Sequence, residues 1–308
     1  MNMSTSTGQA PSSPAAVTTT TSTSHNRIFG AIVGDVAGSI YERKNCKSED
    51  CEIFKHGSHL TDDSILTLAT ACRFTTTTTT TTMTATTTDD HSDALYSKLY
   101  SDFGKAYPAA GYGGTFYGWM RRPDEYRKPY NSWGNGSAMR ASPIGWVATD
   151  MESALAEAAR SAQVTHNHPS GIKGAQAVVA AIFLAREGAS KNVIQSFVEK
   201  HCGYNLHDKL SEIRPSYQFD VSCDGSVPQA IIAFLESNDF EDAIRKAISL
   251  GGDSDTIACI AAAIAQAYYG VDSIPKYMVD YCRGQMDARQ IEIMEEFWKR
   301  YEQGTLTI

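Results

Sequence analysis

DMESALAEAARSAQV, residues 150–164, decides the fold class. Its apolar and small side chains recur at spacings of three and four, which gathers them on one face of an α-helix and leaves the charged residues opposite. GAQAVVAAIFLARE, residues 174–187, keeps the same period with almost no polar face, as a helix packed on several sides requires. Farther along, Ser226 stands ahead of VPQAIIAFLES as a capping hydroxyl with an early proline, and Gly251 and Gly252 end the helical pattern of DFEDAIRKAISL. Alternating strand patterns are few and no strand–helix–strand rhythm appears, so the sequence predicts a compact, orthogonal, all-α domain over residues 26–308.

Two stretches fall outside this period. Residues 1–25 are almost entirely Ser, Thr, Ala, Pro and Gly, which bury too little apolar surface to offset the entropy of ordering, and read as a disordered tail. Residues 75–88 are nearly pure threonine, whose β-branched side chains suit a helix poorly, and read as a looped-out insertion.

Composition limits the partners. The 308 residues are 42% hydrophobic and 20% charged, enough for one large core, and the net charge of −8 argues against general nucleic-acid binding. No apolar run approaches the roughly 20 residues of a membrane span, and no signal sequence opens the chain. Seven cysteines without a CxxC pair indicate neither a disulfide framework nor a zinc knuckle, so Cys46 and Cys51 are expected as free thiols in a reducing compartment. The expectation is a cytoplasmic monomer, with mitochondrion or nucleus as alternative locations.

In Gly30-Ala-Ile-Val-Gly34-Asp-Val-Ala-Gly38 three glycines share one helical face, at a cost of about 1 kcal/mol each relative to alanine. Tight packing against another helix is the reading that accounts for this, and the alanine-rich TIACIAAAIAQAYYG, residues 256–270, is the matching partner. The most informative residues are Thr61-Asp62-Asp63-Ser64 and Asp253-Ser254-Asp255-Thr256, each set just before an apolar helical run. Helix capping needs one such oxygen; two carboxylates per helix, arranged twice, create repulsion that a hard divalent cation would relieve. Oxygen donors without a cysteine or histidine set favour Mg²⁺ or Mn²⁺ over zinc, and a zinc pair at His166 and His168 lacks further ligands.

Taken in order, GDVAGSIYE, LTDDS, GNGSAMR, VTHNHPSGIKGA and GGDSDTIA resemble the ADP-ribosylglycohydrolases, a family that includes the glycohydrolase activating dinitrogenase reductase and a serine-linkage branch. The resemblance runs from Phe29 to about Gly270. It implies an all-α fold with two Mg²⁺ or Mn²⁺ ions held by Thr61, Asp62, Asp63, Asp253, Asp255 and Thr256, and release of ADP-ribose from a modified protein or an ADP-ribose derivative. Glu42 matches a glutamate on a flap near the metals, residues Gly134 to Met139 match the glycine loop that receives ADP-ribose, and His166 matches a position beside the ribose. Trp133, Gly134, Asn135, Gly136, Ser137, Met139 and His166 are therefore the expected substrate contacts, and Glu42, Asp62, Asp63 and Asp255 the expected catalytic groups. Backbone N–H groups at residues 134–136 are expected to hold the pyrophosphate. Among the aromatics of residues 111–133, Tyr112, Trp119 and Trp133 are candidates for stacking on adenine. The resemblance also permits an inactive ADP-ribose binder or a crystallin-like relative, and a metal-dependent phosphohydrolase is a rival from another class.

Overall fold

The computed structural model describes residues 28–75 and 90–306, together with residues 1 and 308. The tail and the threonine tract lie outside the described residues, apart from Met1 and Thr75. Among the described residues there are fifteen α-helices and two 3-10 turns, no strand, and one isolated antiparallel bridge between Gly134 and Ser222. Eight of the helices are numbered here: α1 (Phe29–Gly38), α2 (Asp62–Thr75), α3 (Asp90–Ala106), α4 (Met151–Gln163), α5 (Pro169–Arg186), α6 (Cys223–Glu236), α7 (Phe240–Leu250) and α8 (Ser254–Tyr269).

Helix α8 is the axis. Every residue from Ser254 to Ala267 is buried, which a helix with small apolar side chains all round permits only at the centre of a domain. Helices α1, α5, α6 and α7 pack around it. The α1 contact is the closest, because the three glycines face α8: a Cβ at Gly30 would stand 2.6 Å from the Ala262 carbonyl oxygen, and at Gly34 and Gly38 nearer still to those of Ala258 and Ser254. Gly30 N–H also donates to Gln266 Oε1 at 2.8 Å. The small-faced pair expected from the sequence is thus the central crossing of the fold.

Helix starts differ from expectation at two places. Helix α5 begins at Pro169, five residues before the quoted period, because the His168 ring nitrogen accepts from Ser170 N–H and Pro169 needs no amide partner in the first turn. Helix α6 begins at Cys223 with Ser222 as its cap, accepting from Gly225 N–H at 2.8 Å. Ser226 lies inside the helix, where its hydroxyl donates to Ser222 O. Two further caps are carboxylates: Asp150 accepts from Ser153 N–H and Asp239 from Asp242 N–H, both at 2.8 Å.

The segment between α1 and α2 corrects another expectation. Cys46 and Cys51 are paired, their Cα atoms 6.5 Å apart, because residues 48–50 form a tight turn in which Asp50 N–H donates to Ser48 Oγ. Lys47 Nζ donates to the Tyr217 and Leu250 carbonyls, and Arg214, Arg245 and Lys246 all bond to Glu49. The segment is therefore tied down at its middle.

Candidate active site

One cavity of about 1040 Å³ gathers most of the residues singled out by the sequence. Its floor is Thr61, Asp62 and Asp63 at the start of α2, with Asp253, Asp255 and Thr256 at the start of α8. One wall is Trp133 to Gly136 with Met139 and His166; the facing rim is Glu42 and its neighbours from the segment between α1 and α2.

The floor is built by α1 as much as by the two helix starts. Asp35, fully buried on α1, accepts from Thr61 N–H at 2.9 Å, Thr61 Oγ1 at 2.6 Å, Ser64 N–H at 3.1 Å and the Ser64 hydroxyl. These bonds fix the first turn of α2 and set Asp63 beside α8. Oxygens of Asp35, Asp63 and Asp255 lie within 4.8 Å of one another. The Thr256 hydroxyl donates to Asp63 Oδ2 at 3.3 Å and Thr61 Oγ1 stands at the same distance from it, whereas Asp63 Oδ1 is buried without a hydrogen-bond partner. Asp253 stands at the N-cap of α8 yet accepts no capping bond from that helix; its Oδ2 takes the Asn135 amide at 2.6 Å. Asp255 Oδ1 does take the first-turn Thr256 N–H at 3.0 Å, so capping accounts for one carboxylate of the second cluster and not for Asp253.

Burial is the main cause of the electrostatics, with repulsion added to it. Asp62 is pushed up to about 8 by burial and then by Asp35 and Asp253. Burial, then Asp35 for Asp63 and Asp63 for Asp255, hold those two well above the ordinary carboxylate range. Burial likewise raises Asp253 and Asp35. Such a cluster resists ionisation unless positive charge joins it, and its donors are all oxygen. An orphaned buried carboxylate oxygen and an all-oxygen donor set fit a hard divalent cation.

The glycine wall departs in part from expectation. Gly134 N–H donates to Ser132 Oγ and Asn135 N–H to Val221 O, so two of the three amides expected to face a ligand are bound within the protein. The Gly136 N–H begins the short helix Gly136–Met139 and has no bonded partner among the described residues. Ser137 does not line the cavity; it is fully buried and its hydroxyl donates to Gly171 O at 2.7 Å. His166 does line it, with Nε2 only 3.2 Å from where a Cβ on Gly136 would stand.

The three candidate aromatics separate. Trp119 is fully buried between Phe116 and the Arg127 side chain, a core residue. Tyr112 packs on Phe116 and does not reach the cavity lining. Trp133 lines the cavity and is 51% exposed. Phe219 and Val221, 52% and 42% exposed, line it too and were not foreseen, since the loop before α6 carries no periodic signal. Glu42 is half-buried at the rim, its pKa raised by burial and then by Asp253.

A family model for the ADP-ribosylglycohydrolases matches residues 20–305. The human and mouse proteins named ADP-ribosylhydrolase ARH3 are each 26% identical, over 83% of this chain and 88% and 86% of their own lengths. The ADP-ribosylarginine hydrolase Tri1 of Pseudomonas putida is 27% identical over 53% of this chain and 46% of its own. In fold, a solved structure titled ADP-ribosylglycohydrolase-related protein complex superposes with a TM-score of 0.64 at 21% identity, covering 90% of this chain and 97% of that one.

Proposed function

The chain belongs to the ADP-ribosylglycohydrolase family, and on that premise we propose that it hydrolyses the glycosidic bond between ADP-ribose and a protein side chain or small acceptor. The observation that carries the reading is the convergence, in one cavity, of a carboxylate floor, a glycine wall and the exposed Trp133 ring. Those three zones suit the parts of ADP-ribose: hydroxyl-rich sugar, pyrophosphate and base.

In this reading Thr61, Asp62, Asp63, Asp253, Asp255 and Thr256 hold two Mg²⁺ or Mn²⁺ ions. Bound divalent ions would supply Lewis acidity, polarising sugar hydroxyls and making a nearby water more acidic. Asp35 stays a support, since its carboxylate already orients Thr61 and Ser64. Asn135 fixes Asp253 from the glycine wall, so ligand binding at the wall and the geometry of the floor are linked. Trp133 offers a face to adenine, and Gly136 its free N–H to a phosphate oxygen. Cleavage places positive charge on the anomeric carbon, beside which the carboxylates are a favourable field. Glu42, its pKa raised by burial and then by Asp253, stands at the rim where a carboxyl group can move a proton between water or the leaving atom and solvent.

The test is product analysis on defined ADP-ribosylated substrates with Mg²⁺ or Mn²⁺. Intact ADP-ribose is expected. AMP, with the ribose phosphate left on the acceptor, would make the protein a phosphohydrolase, and ligand binding without turnover on any linkage would make it a binder.

A further inference from the structure

Arg140 is fully buried, yet its Nε and Nη1 meet no hydrogen-bond partner. Its guanidinium carbon lies 3.9 Å from the Tyr100 ring centre, and Nη2 donates to Ser161 O at 3.1 Å and Thr165 Oγ1 at 2.8 Å. The direction of the last bond is fixed, because a guanidinium has no acceptor. Thr165 is itself fully buried, and its Oγ1 stands 2.7 Å from His166 Nδ1.

Only one arrangement of hydrogens satisfies both the Arg140–Thr165 and the Thr165–His166 contact. With a proton on Nδ1, both Arg140 and His166 would donate into Thr165 Oγ1, and the threonine hydrogen would be buried without an acceptor. With Nδ1 bare, Thr165 accepts from Arg140 and donates to His166. The ring proton then sits on Nε2, the edge turned toward Gly134 and Gly136. Nε2 has no acceptor among the described residues. Burial and then the Arg140 charge hold His166 well below its ordinary pKa, so the ring stays neutral.

We propose that Arg140 and Thr165 are positioning residues that lock His166 as the neutral Nε2–H tautomer and aim that N–H as a hydrogen-bond donor at an oxygen of the ligand on the glycine wall. The ligand's identity as ADP-ribose rests on the proposed function; the tautomer does not. A neutral donor suits this place, because a protonated histidine there would add a second buried cation beside Arg140.

The experiment is ¹⁵N NMR of the histidine-labelled full chain, with the His166 signals assigned by their loss in His166→Gln. The expected result is a pyrrole-like nitrogen coupled to both ring C–H protons, which marks Nε2–H, unchanged from about pH 5 to about pH 8. Added ADP-ribose should shift that signal. Thr165→Val should mix the tautomers and lower kcat/KM on an ADP-ribosylated substrate at least about tenfold, and Thr165→Ser should restore both. An Nδ1–H tautomer in the natural chain, titration within that range, or a Thr165→Val variant with unchanged signals and kinetics would overturn the proposal. Should Thr165→Val not fold, the natural chain's spectrum still decides. A natural chain with the expected tautomer and no ADP-ribosyl hydrolysis would remove the function and leave the hydrogen-bond relay intact.

Discussion

Glu42 is the rim residue whose role separates most cleanly by substitution. Its raised pKa and its place beside the carboxylate floor suit proton transfer, so Glu42→Gln, which keeps size and hydrogen bonding, should lower kcat by about two orders of magnitude or more. ADP-ribose affinity, measured by calorimetry, should change little. Retained kcat with tighter ADP-ribose binding would instead make Glu42 a gate, and the proton would have to move through Asp62, Asp63 or Asp255. Single residues also show where sequence reading reached its end. The two aspartate pairs were legible because each stands at a helix start in unusual density. Asp35 was not, since a lone acid in an apolar run looks ordinary until the fold brings Thr61 and Ser64, 26 and 29 residues away, onto its oxygens. Arg140 closes the GNGSAMR motif, but nothing in its spacing forecasts a partner at Thr165.

At the level of elements, the glycine face of α1 was legible because three costly residues at one helical period have few explanations. Helix starts were less so: His168 and Ser222 cap through side chains whose partners depend on local backbone, which periodicity does not encode. The α1–α8 crossing gives a sharp expectation. A methyl at Gly34 meets the Ala258 backbone, which cannot yield as a side chain tip can, so Gly34→Ala should destabilise by about 1–3 kcal/mol or more. It should also weaken Mn²⁺ uptake, because Asp35 is the next residue. Gly118, helical and with nothing within 4 Å of an added Cβ, is the control: Gly118→Ala should be neutral or stabilising by about 0.5–1 kcal/mol. Urea denaturation of both variants checks this, and equal stabilities would show that the crossing has slack.

For the molecule as a whole, the buried carboxylates couple stability to pH. With folded values raised, Asp62 to about 8, against an unfolded value of about 4, the native metal-free protein binds more protons than the unfolded chain between those limits. Its stability therefore falls as pH rises through that window. A divalent ion that binds the ionised cluster opposes the fall, so Mn²⁺ or Mg²⁺ in fixed excess should raise Tm more at pH 8 than at pH 5. A thermal shift equal at both would speak against ion binding at these carboxylates. The threonine tract makes the opposite kind of expectation, because its composition matches no motif. Deleting Thr76 to Thr87 should leave Tm and turnover nearly unchanged, and a large loss of either would make the tract a structural part of the domain.

The seam between α1 and α8 joins residues as distant as Gly30 and Gln266, and the floor it supports draws Asp62 and Asp63 from one helix start and Asp253 and Asp255 from the other. On the ribosome, the first pair is made long before the second. During that interval the nascent chain carries an apolar α1 whose glycine face has no partner and a pair of acids without the geometry to hold an ion. Contacts of such sequence separation form late and slow the search for the native state. The carboxylate floor is complete only after α8 has been synthesised and packed against α1, so a chain arrested earlier holds one half of the site.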